Sequence, residues 1–398
     1  MTSTLPLTYS PYDYAIHEDP YPTYARLRAE APVFYNEELD FYALSRHADV
    51  LAAFRDVDRF SNANGVTLDP AAYGPNAHRA MSFLAMDPPR HTRMRSIVGK
   101  SFTPRRVAEM EARIRDLATS HLAAALEGGS FDFVADFAGR LPMDVISELV
   151  GVPAADRAEV RRLADVLVHR AEGVHDVPPE GMEAALLLAG YYADMVADRR
   201  AHERDDLTWS LLQAEIDGDR LSDDEVISFL FLLVVAGNET TTKLLSNAWY
   251  WGWRHPDQLA KPMADPSRVP DWIEETLRYD TSTQMILRVT RQPVSVRGVD
   301  IEAGQRVLLL IGSANRDEEV FEDPERYDLE RNTQNMISFG GGRHFCMGAA
   351  LARMEARIAL TELVGRVAGY DVDPAGIERV HSINVRGLAA LPTTVTLR

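Results

Sequence analysis

Apolar residues recur at helical spacing through most of this chain, in the stretches 19–31, 104–127, 140–150, 154–170, 181–202 and 223–254. Strand signals are short by comparison. "PVFYNE" and "FYALS" read as a hairpin around Glu38–Asp40, and residues 293–312 alternate apolar and polar before a buried-looking run. "LAALPTTVTL" offers a further strand or two, and 61–77 and 172–181 read as surface loops. No repeat or linker divides the chain. The spacing predicts one mainly α domain over residues 1–398, with small β-sheets (α+β) assembled from distant segments.

Charge narrows the function. Lys and Arg number 42 against 60 Asp and Glu, a net −18, which argues against general nucleic-acid or anionic-membrane binding. Residues 88–108 reverse the balance, with six Lys or Arg and no acid. Such a patch suits docking of an anionic group or partner, and suits equally a solvated face balanced by acids elsewhere. "WYWGW" (249–253) lacks the basic setting of a nucleic-acid stacking site and reads as core. The longest apolar run, Phe229 to Gly237, is too short for a bilayer span, and the N-terminus has no basic segment followed by an apolar run. The expectation is a soluble, cytoplasmic protein with no membrane anchor, acting as a monomer.

Cys346 is the only cysteine, so disulfides and thiolate-rich zinc or iron–sulfur sites are excluded. It lies in "FGGGRHFCMG" (339–348), after "NMISF", which reads as a short strand, and before the helical pattern 348–364. A helix start offers N–H donors that lower a thiol pKa. Gly340, Gly341 and Gly342 would let the backbone approach a flat object. A thiolate so placed suits an axial haem ligand, while an inert buried cysteine and a nucleophile with His344 as base remain open. "VVAGNETTT" (234–242) puts Glu239 and three threonines after an apolar run and a glycine that would open the helix, which suits proton delivery into a dry cavity. Back-bonding of Thr240 to a helical carbonyl is the alternative. Glu275 and Arg278 share one helix face at i, i+3. In "DPPRHTRMR" (87–95), Asp87 reads as an N-cap with Pro88 at the first helical position, placing His91 and Arg95 one turn apart.

"FGGGRHFCMG" matches in full the F-x-x-G-x-H/R-x-C-x-G signature of the cytochrome P-450 superfamily, the haem-thiolate monooxygenases. The other motifs follow in that family's order, so the resemblance spans essentially the whole chain. It implies a triangular helical prism with haem b held between a long central helix and the cysteine-loop helix. Cys346 becomes the iron ligand, and Phe339, Gly340, Gly348 and Ala236 border the haem. The resemblance assigns His91 and Arg95 to one haem propionate, His344 and Arg288 to the other. Thr240 would hydrogen-bond the oxygen, and Glu239 would link it to solvent. Glu275, Arg278 and Arg326 (of "DPERY") would form a buried structural ion cluster.

The same resemblance implies insertion of one atom of O2 into a lipophilic small molecule. Electrons would come from NAD(P)H through ferredoxin reductase and ferredoxin, since no flavin or nicotinamide domain is visible. Arg90, Arg93, Lys100, Arg105, Arg106 and Arg343 are the candidate docking face. Val66, Leu68, Met81, Phe83, Leu84, Val235, Ala236, Met285, Ile286 and Ile383 are the candidate pocket wall, with Ser282, Thr283, Gln284 and Asn384 as polar additions. His169, Arg170 and His175 are candidates to face an acidic substrate group, with exposure to solvent the favoured alternative. A haem protein that binds a ligand without oxygenating it, and a peroxide-driven enzyme, are the competing readings.

Overall fold

The computed structural model describes residues 6–168 and 174–398; His169 and Arg170 lie outside them. The helices that frame the core are α1 (Tyr21–Glu30), α2 (His47–Arg55), α3 (Arg90–Ser101), α4 (Glu111–Leu126), α5 (Leu141–Val150), α6 (Arg157–Val168), α7 (Pro179–Ala201), α8 (Asp223–Arg254), α9 (Val269–Tyr279) and α10 (Ala349–Arg366). A five-stranded sheet contains β1 (Val33–Asn36), β2 (Phe41–Leu44), β3 (Phe60–Ser61), β4 (Met285–Thr290) and β5 (Arg306–Leu310), in the order β1-β2-β5-β4-β3. β1 and β2 form the expected hairpin, with Asp40 at positive φ in its turn. A second sheet joins Val367–Val372, Pro392–Leu397 and Ser130–Asp132.

α8 organises the fold. Ser222 and Glu225 close a capping box at its start, and Asp223, Asp224 and Glu225 favour the positive end of its dipole. Among the described residues it is the one helix long and apolar enough to cross a membrane, yet half of its apolar stretch is buried. It packs against α5, α6, α7, α9 and α10. The aromatic run lies at its C-terminal end. Trp249 stacks on Phe133 at 4.9 Å and on Tyr370 at 3.6 Å, with 0% exposure. Burying rings of this size contributes about 1.5–3 kcal/mol each or more, and "WYWGW" is core as expected.

Four local readings change, the first being 61–77, which is no surface loop because Ser61, Asn62 and Val66 to Asp69 are buried. Residues 104–127 divide at Met110, whose N–H closes a tight turn on Val107 O at 3.1 Å before α4 begins. "NMISF" is no strand: Ile337 N–H goes to Asn315 Oδ1 at 2.8 Å and Met336 N–H to Thr333 O at 2.9 Å. Asp87 is not the N-cap of α3, a position held by Pro89. Its carboxylate instead accepts Asn62 N–H at 2.9 Å and the Ser61 hydroxyl at 2.5 Å.

Candidate active site

The Cys346 loop is closed by its own backbone. Cys346 N–H donates to Phe339 O at 2.9 Å, and α10 begins at Ala349 with Gly348 as N-cap. Cys346 is solvent-accessible at its surface, yet its thiol lies largely among protein atoms. Burial pushes its thiol up; the Gly348 and Ala349 N–H groups, Arg95 and Arg353 pull it down. The expected donors are therefore present, but burial outweighs them, and the helix start alone does not hold a thiolate. A bound metal supplies what is missing, because a coordinating cysteine gives up its proton.

The glycines also serve a contact other than the expected one. A Cβ on Gly342 would lie 2.7 Å from Phe54 O, and its φ is +63°. A Cβ on Gly341 would lie 3.3 Å from Leu51 Cδ1, and one on Gly340 3.6 Å from Phe54 Cε1. These residues press the loop closely against α2.

Four cationic or potentially cationic side chains converge beside this loop. α3 presents His91 and Arg95, the loop presents His344, and β4 presents Arg288. The His91 and His344 rings are 4.0 Å apart, and none of their nitrogens has a hydrogen-bond partner. The Met86 carbonyl lies near His344, out of hydrogen-bond geometry. Arg288 is 2% exposed, stacks over Phe54 at 5.3 Å and donates to the Leu287 carbonyl at 2.8 Å. Arg95 donates to Phe345 O at 2.6 Å. Burial, then Arg95 and Arg343, drives His91 down to about 4. Burial, then Arg288 and His91, drives His344 to about 2. Burial brings Arg288 to about 9 against the pull of Asp87. No carboxylate among the described residues pairs with any of the four. Buried cations are ordinarily matched by anions, so this donor set fits a ligand carrying two carboxylates.

Across α8, Glu239 is 6% exposed, with Oε2 3.2 Å from Lys243 Nζ. Thr240 Oγ1 donates to Ala236 O at 2.8 Å, the back-bond that was the alternative reading. α8 runs unbroken through Gly237, where a Cβ would make ordinary contact with Ile146 at 3.5 Å, so the glycine does not open the helix. Nor does Glu239 lead straight to solvent. Lys243 escaped the sequence reading although it stands at i+4 from Glu239, a spacing that signals a pair.

Glu275 and Arg278 are buried as expected, joined by two hydrogen bonds at 2.7 and 2.8 Å. The third member is corrected. The Arg326 side chain is 60% exposed beside Asp328, and only its carbonyl serves the cluster, accepting from Arg278 at 3.2 Å. Arg331 takes its place, with Nε 3.5 Å from Glu275 Oε1 and a side chain 9% exposed.

Known proteins are similar to this chain over nearly its whole length. A Mycobacterium tuberculosis protein named cytochrome P-450 123 is 56% identical over 393 residues, 98% of either chain. This chain is a cytochrome P-450. The family model for cytochrome P-450 matches residues 267–368. A vitamin D(3) 25-hydroxylase of Pseudonocardia autotrophica is 39% identical over 95% of this chain and 94% of its own length. A solved Chondromyces apiculatus P-450 superposes with a TM-score of 0.87 at 35% identity, covering 98% of each chain. The expected fold and enzyme class are thereby shown: a P-450 monooxygenase whose cofactor is thiolate-bound haem iron, working with O2 and NAD(P)H-derived electrons.

The structure sorts the expected P-450 pocket wall. Ala236 is exposed, and Met81, Leu84, Val235 and Ile286 are half-buried. Leu68, Met285 and Ile383 instead join Tyr9, Tyr24 and Leu27 in a separate core cluster, where Tyr9 OH contacts Met285 Sδ at 3.5 Å. Phe83 packs in the main core between His91 and Phe229, and the Val66 side chain is buried. His175 stacks on Tyr12 at 4.3 Å. On the candidate docking face, Arg93 is neutralised by Asp219 at 2.6 Å and Glu225 at 2.8 Å, and Arg105 pairs with Glu109. Lys100 and Arg106 donate to neutral oxygens of Glu215 and Ser210. Arg90 and Arg343 are exposed.

Proposed function

We propose that this P-450 oxidises a lipophilic small molecule in the cytoplasm, drawing electrons from a ferredoxin served by a ferredoxin reductase. The observation that carries the site reading is the cluster of four cationic side chains without a protein anion, standing beside Cys346. Haem bound there supplies the oxygen chemistry: one atom enters the substrate, and the other leaves as water with two electrons and two protons. Cys346 holds the iron. His91, Arg95, His344 and Arg288 hold the two propionates, and the added negative charge relieves their mutual repulsion. Arg353, stacked over Phe339 at 4.5 Å, adds positive charge on the sulfur side. Thr240 and Glu239 hold and move protons on the opposite wall, beside the exposed Ala236.

For the substrate, the half-buried apolar wall of Met81, Leu84, Val235 and Ile286 supports an apolar molecule. Two relatives act on or bind such molecules: the Pseudonocardia vitamin D(3) 25-hydroxylase, and a Bacillus megaterium P-450 solved with testosterone (32% identity, TM-score 0.84). For the electron donor, Arg90 and Arg343 make no ion pair among the described residues, Lys100 and Arg106 bond only neutral oxygens, and Arg93 is excluded. Electrostatic steering of this kind acts on association rate and is salt-sensitive.

The test is the reduced-plus-CO difference spectrum, followed by a library screen for ligands that shift the haem spin state. NADPH consumption with reductase and ferredoxin is then matched to product. A red-shifted thiolate-haem band with coupled turnover supports the reading. A normal spectrum with no turnover of any spin-shifting ligand refutes the monooxygenase assignment. Arg90→Glu with Arg343→Glu should slow ferredoxin-supported turnover and flatten its salt dependence; unchanged kinetics would move the docking face elsewhere.

A further inference from the structure

Glu239 belongs to a larger charged group than the acid–alcohol pair. Lys243, 3.2 Å from its Oε2, is itself fixed. Its Nζ donates to Leu388 O at 3.1 Å, and a Cβ on Gly387 would lie 2.6 Å from Lys243 Cβ, so the glycine clears room for the lysine stem. The ion contact is not aligned as a hydrogen bond, and Glu239 Oε2 has no hydrogen-bond partner among the described residues. Asn238 beside it is 2% exposed, and its Oδ1 is likewise without a partner. A buried carboxylate oxygen and a buried amide oxygen thus both lack a donor.

The structure brings one candidate donor to them. Asp165 lies on α6, which packs against α8. Its residue surface is exposed, while its carboxyl is largely surrounded by protein within reach of the Glu239 and Lys243 charges and the Asn238 amide. Burial, then the charge of Glu239, pushes this carboxyl up to about 6. Lys243, Arg161 on its own helix and the Asn238 amide pull it back. α5 and α7, which also pack against α6, supply none of these principal charges.

We propose that Asp165 is the solvent-side proton donor to Glu239, and that Lys243 is the positioning residue that holds the Glu239 carboxylate to receive the proton. This rests on the reading of Glu239 and Thr240 as the proton-handling pair. The step moves a proton and no electrons. The O–H bond of Asp165 breaks, one forms on Glu239, and the negative charge passes to Asp165, which takes its next proton from water. A proton donor works best when its pKa lies near the operating pH.

The experiment uses the haem-loaded enzyme with reductase, ferredoxin and any ligand that shifts its spin state and is turned over. Product formed per electron is measured from pH 5 to 8 for the wild type, Asp165→Asn, Asp165→Glu and Lys243→Met. The donor is protonated below its pKa, so wild-type coupling should fall as pH rises through about 6. Asp165→Asn should lose that inflection and drop coupling at low pH about tenfold, less than the ~10²–10⁴-fold of a direct acid catalyst. Asp165→Glu should restore it. Lys243→Met should lower kcat with KM unchanged. Infrared titration of the resting protein is a readout independent of turnover: a carboxyl C=O band with a midpoint near 6 should vanish in Asp165→Asn. An unchanged pH profile or an unchanged band in Asp165→Asn, with a normal reduced-CO spectrum, overturns the proposal and leaves the monooxygenase reading standing. Loss of coupling that is equal at every pH overturns it as well.

Discussion

Replacing Arg331 by Met should destabilise this fold, and the same change at Arg326 should not. Arg331 keeps only 9% of its side chain exposed and places Nε 3.5 Å from Glu275 Oε1. Its other nitrogens donate to the carbonyls of Glu322, Asp323 (2.9 Å) and Arg326 (3.2 Å). Removing it does not strand Glu275, which keeps two bonds from Arg278 and the Asp328 N–H at 2.9 Å. The cost therefore falls below the ~3–5 kcal/mol of an abandoned buried charge. Lost charge-assisted bonds to backbone oxygens, each ~1.5–3 kcal/mol but not additive, set it at about 2–3 kcal/mol. At Arg326 the 60% exposed side chain meets only Asp328, at 3.6 Å. A surface pair of that kind is worth ~0–1 kcal/mol. Urea unfolding of both variants, followed by tryptophan fluorescence and haem absorbance, separates the two sites. Equal midpoints, or a larger loss in Arg326→Met, would refute the reassignment of the cluster's third member.

Cys346→Ser should keep its far-ultraviolet circular dichroism while losing the thiolate-haem band and oxygenase turnover together; a surviving band would place the ligand elsewhere. In the haem-free protein His91 titrates lower when folded, near 4, than its ordinary 6.5. Its contribution to stability is therefore full above 6.5 and lost as pH falls through about 4, on the order of 3 kcal/mol over that window. Denaturant midpoints at pH 7 and pH 5 should differ less in His91→Gln than in the wild type, and equal slopes would contradict the depression. Gly342→Ala should cost about 2 kcal/mol or more, combining a left-handed backbone with a clash against Phe54 O, and should speed haem loss. Gly365→Ala, where a Cβ meets nothing within 4 Å, is the neutral control for the same melting and haem-release assays.

How much the sequence revealed depends on the range of the interaction. α8 is legible end to end, because an apolar 3.6 period and a Ser–x–x–Glu cap are both local. "NMISF" has the composition of a strand, yet its amides are claimed by Thr333 and by the Asn315 side chain, which no local pattern announces. The residues proposed to hold the haem, Cys346, His91, Arg95 and His344, are legible as letters in motifs. Their partners are less so. Arg331 lies five residues from Arg326, and only the folded path of that segment decides which guanidinium turns inward. Lys243 is one turn from Glu239 and could have been found; Asp165 stands on another helix and could not.

The Cys346 loop is shaped by what packs behind it as well as by its own sequence. A helix start and a run of glycines are local features, and each was assigned a local consequence: a thiolate, and space for a flat group. In the folded chain both consequences are set by what lies behind the loop. α2 occupies the side toward which the glycine Cβ atoms would point, so the glycines serve protein packing. Protein atoms also surround the sulfur, and their desolvation outweighs two N–H donors and two guanidinium groups. The same burial acts on His91, His344 and Arg288, each of which is driven toward its neutral form. A site that raises its one thiol and depresses its cations resists charge of either sign when considered as protein alone. A ligand bringing a metal cation to the sulfur and two carboxylates to the cations reverses both costs at once. That joint reversal, more than any single contact, is why these five residues make sense as one site.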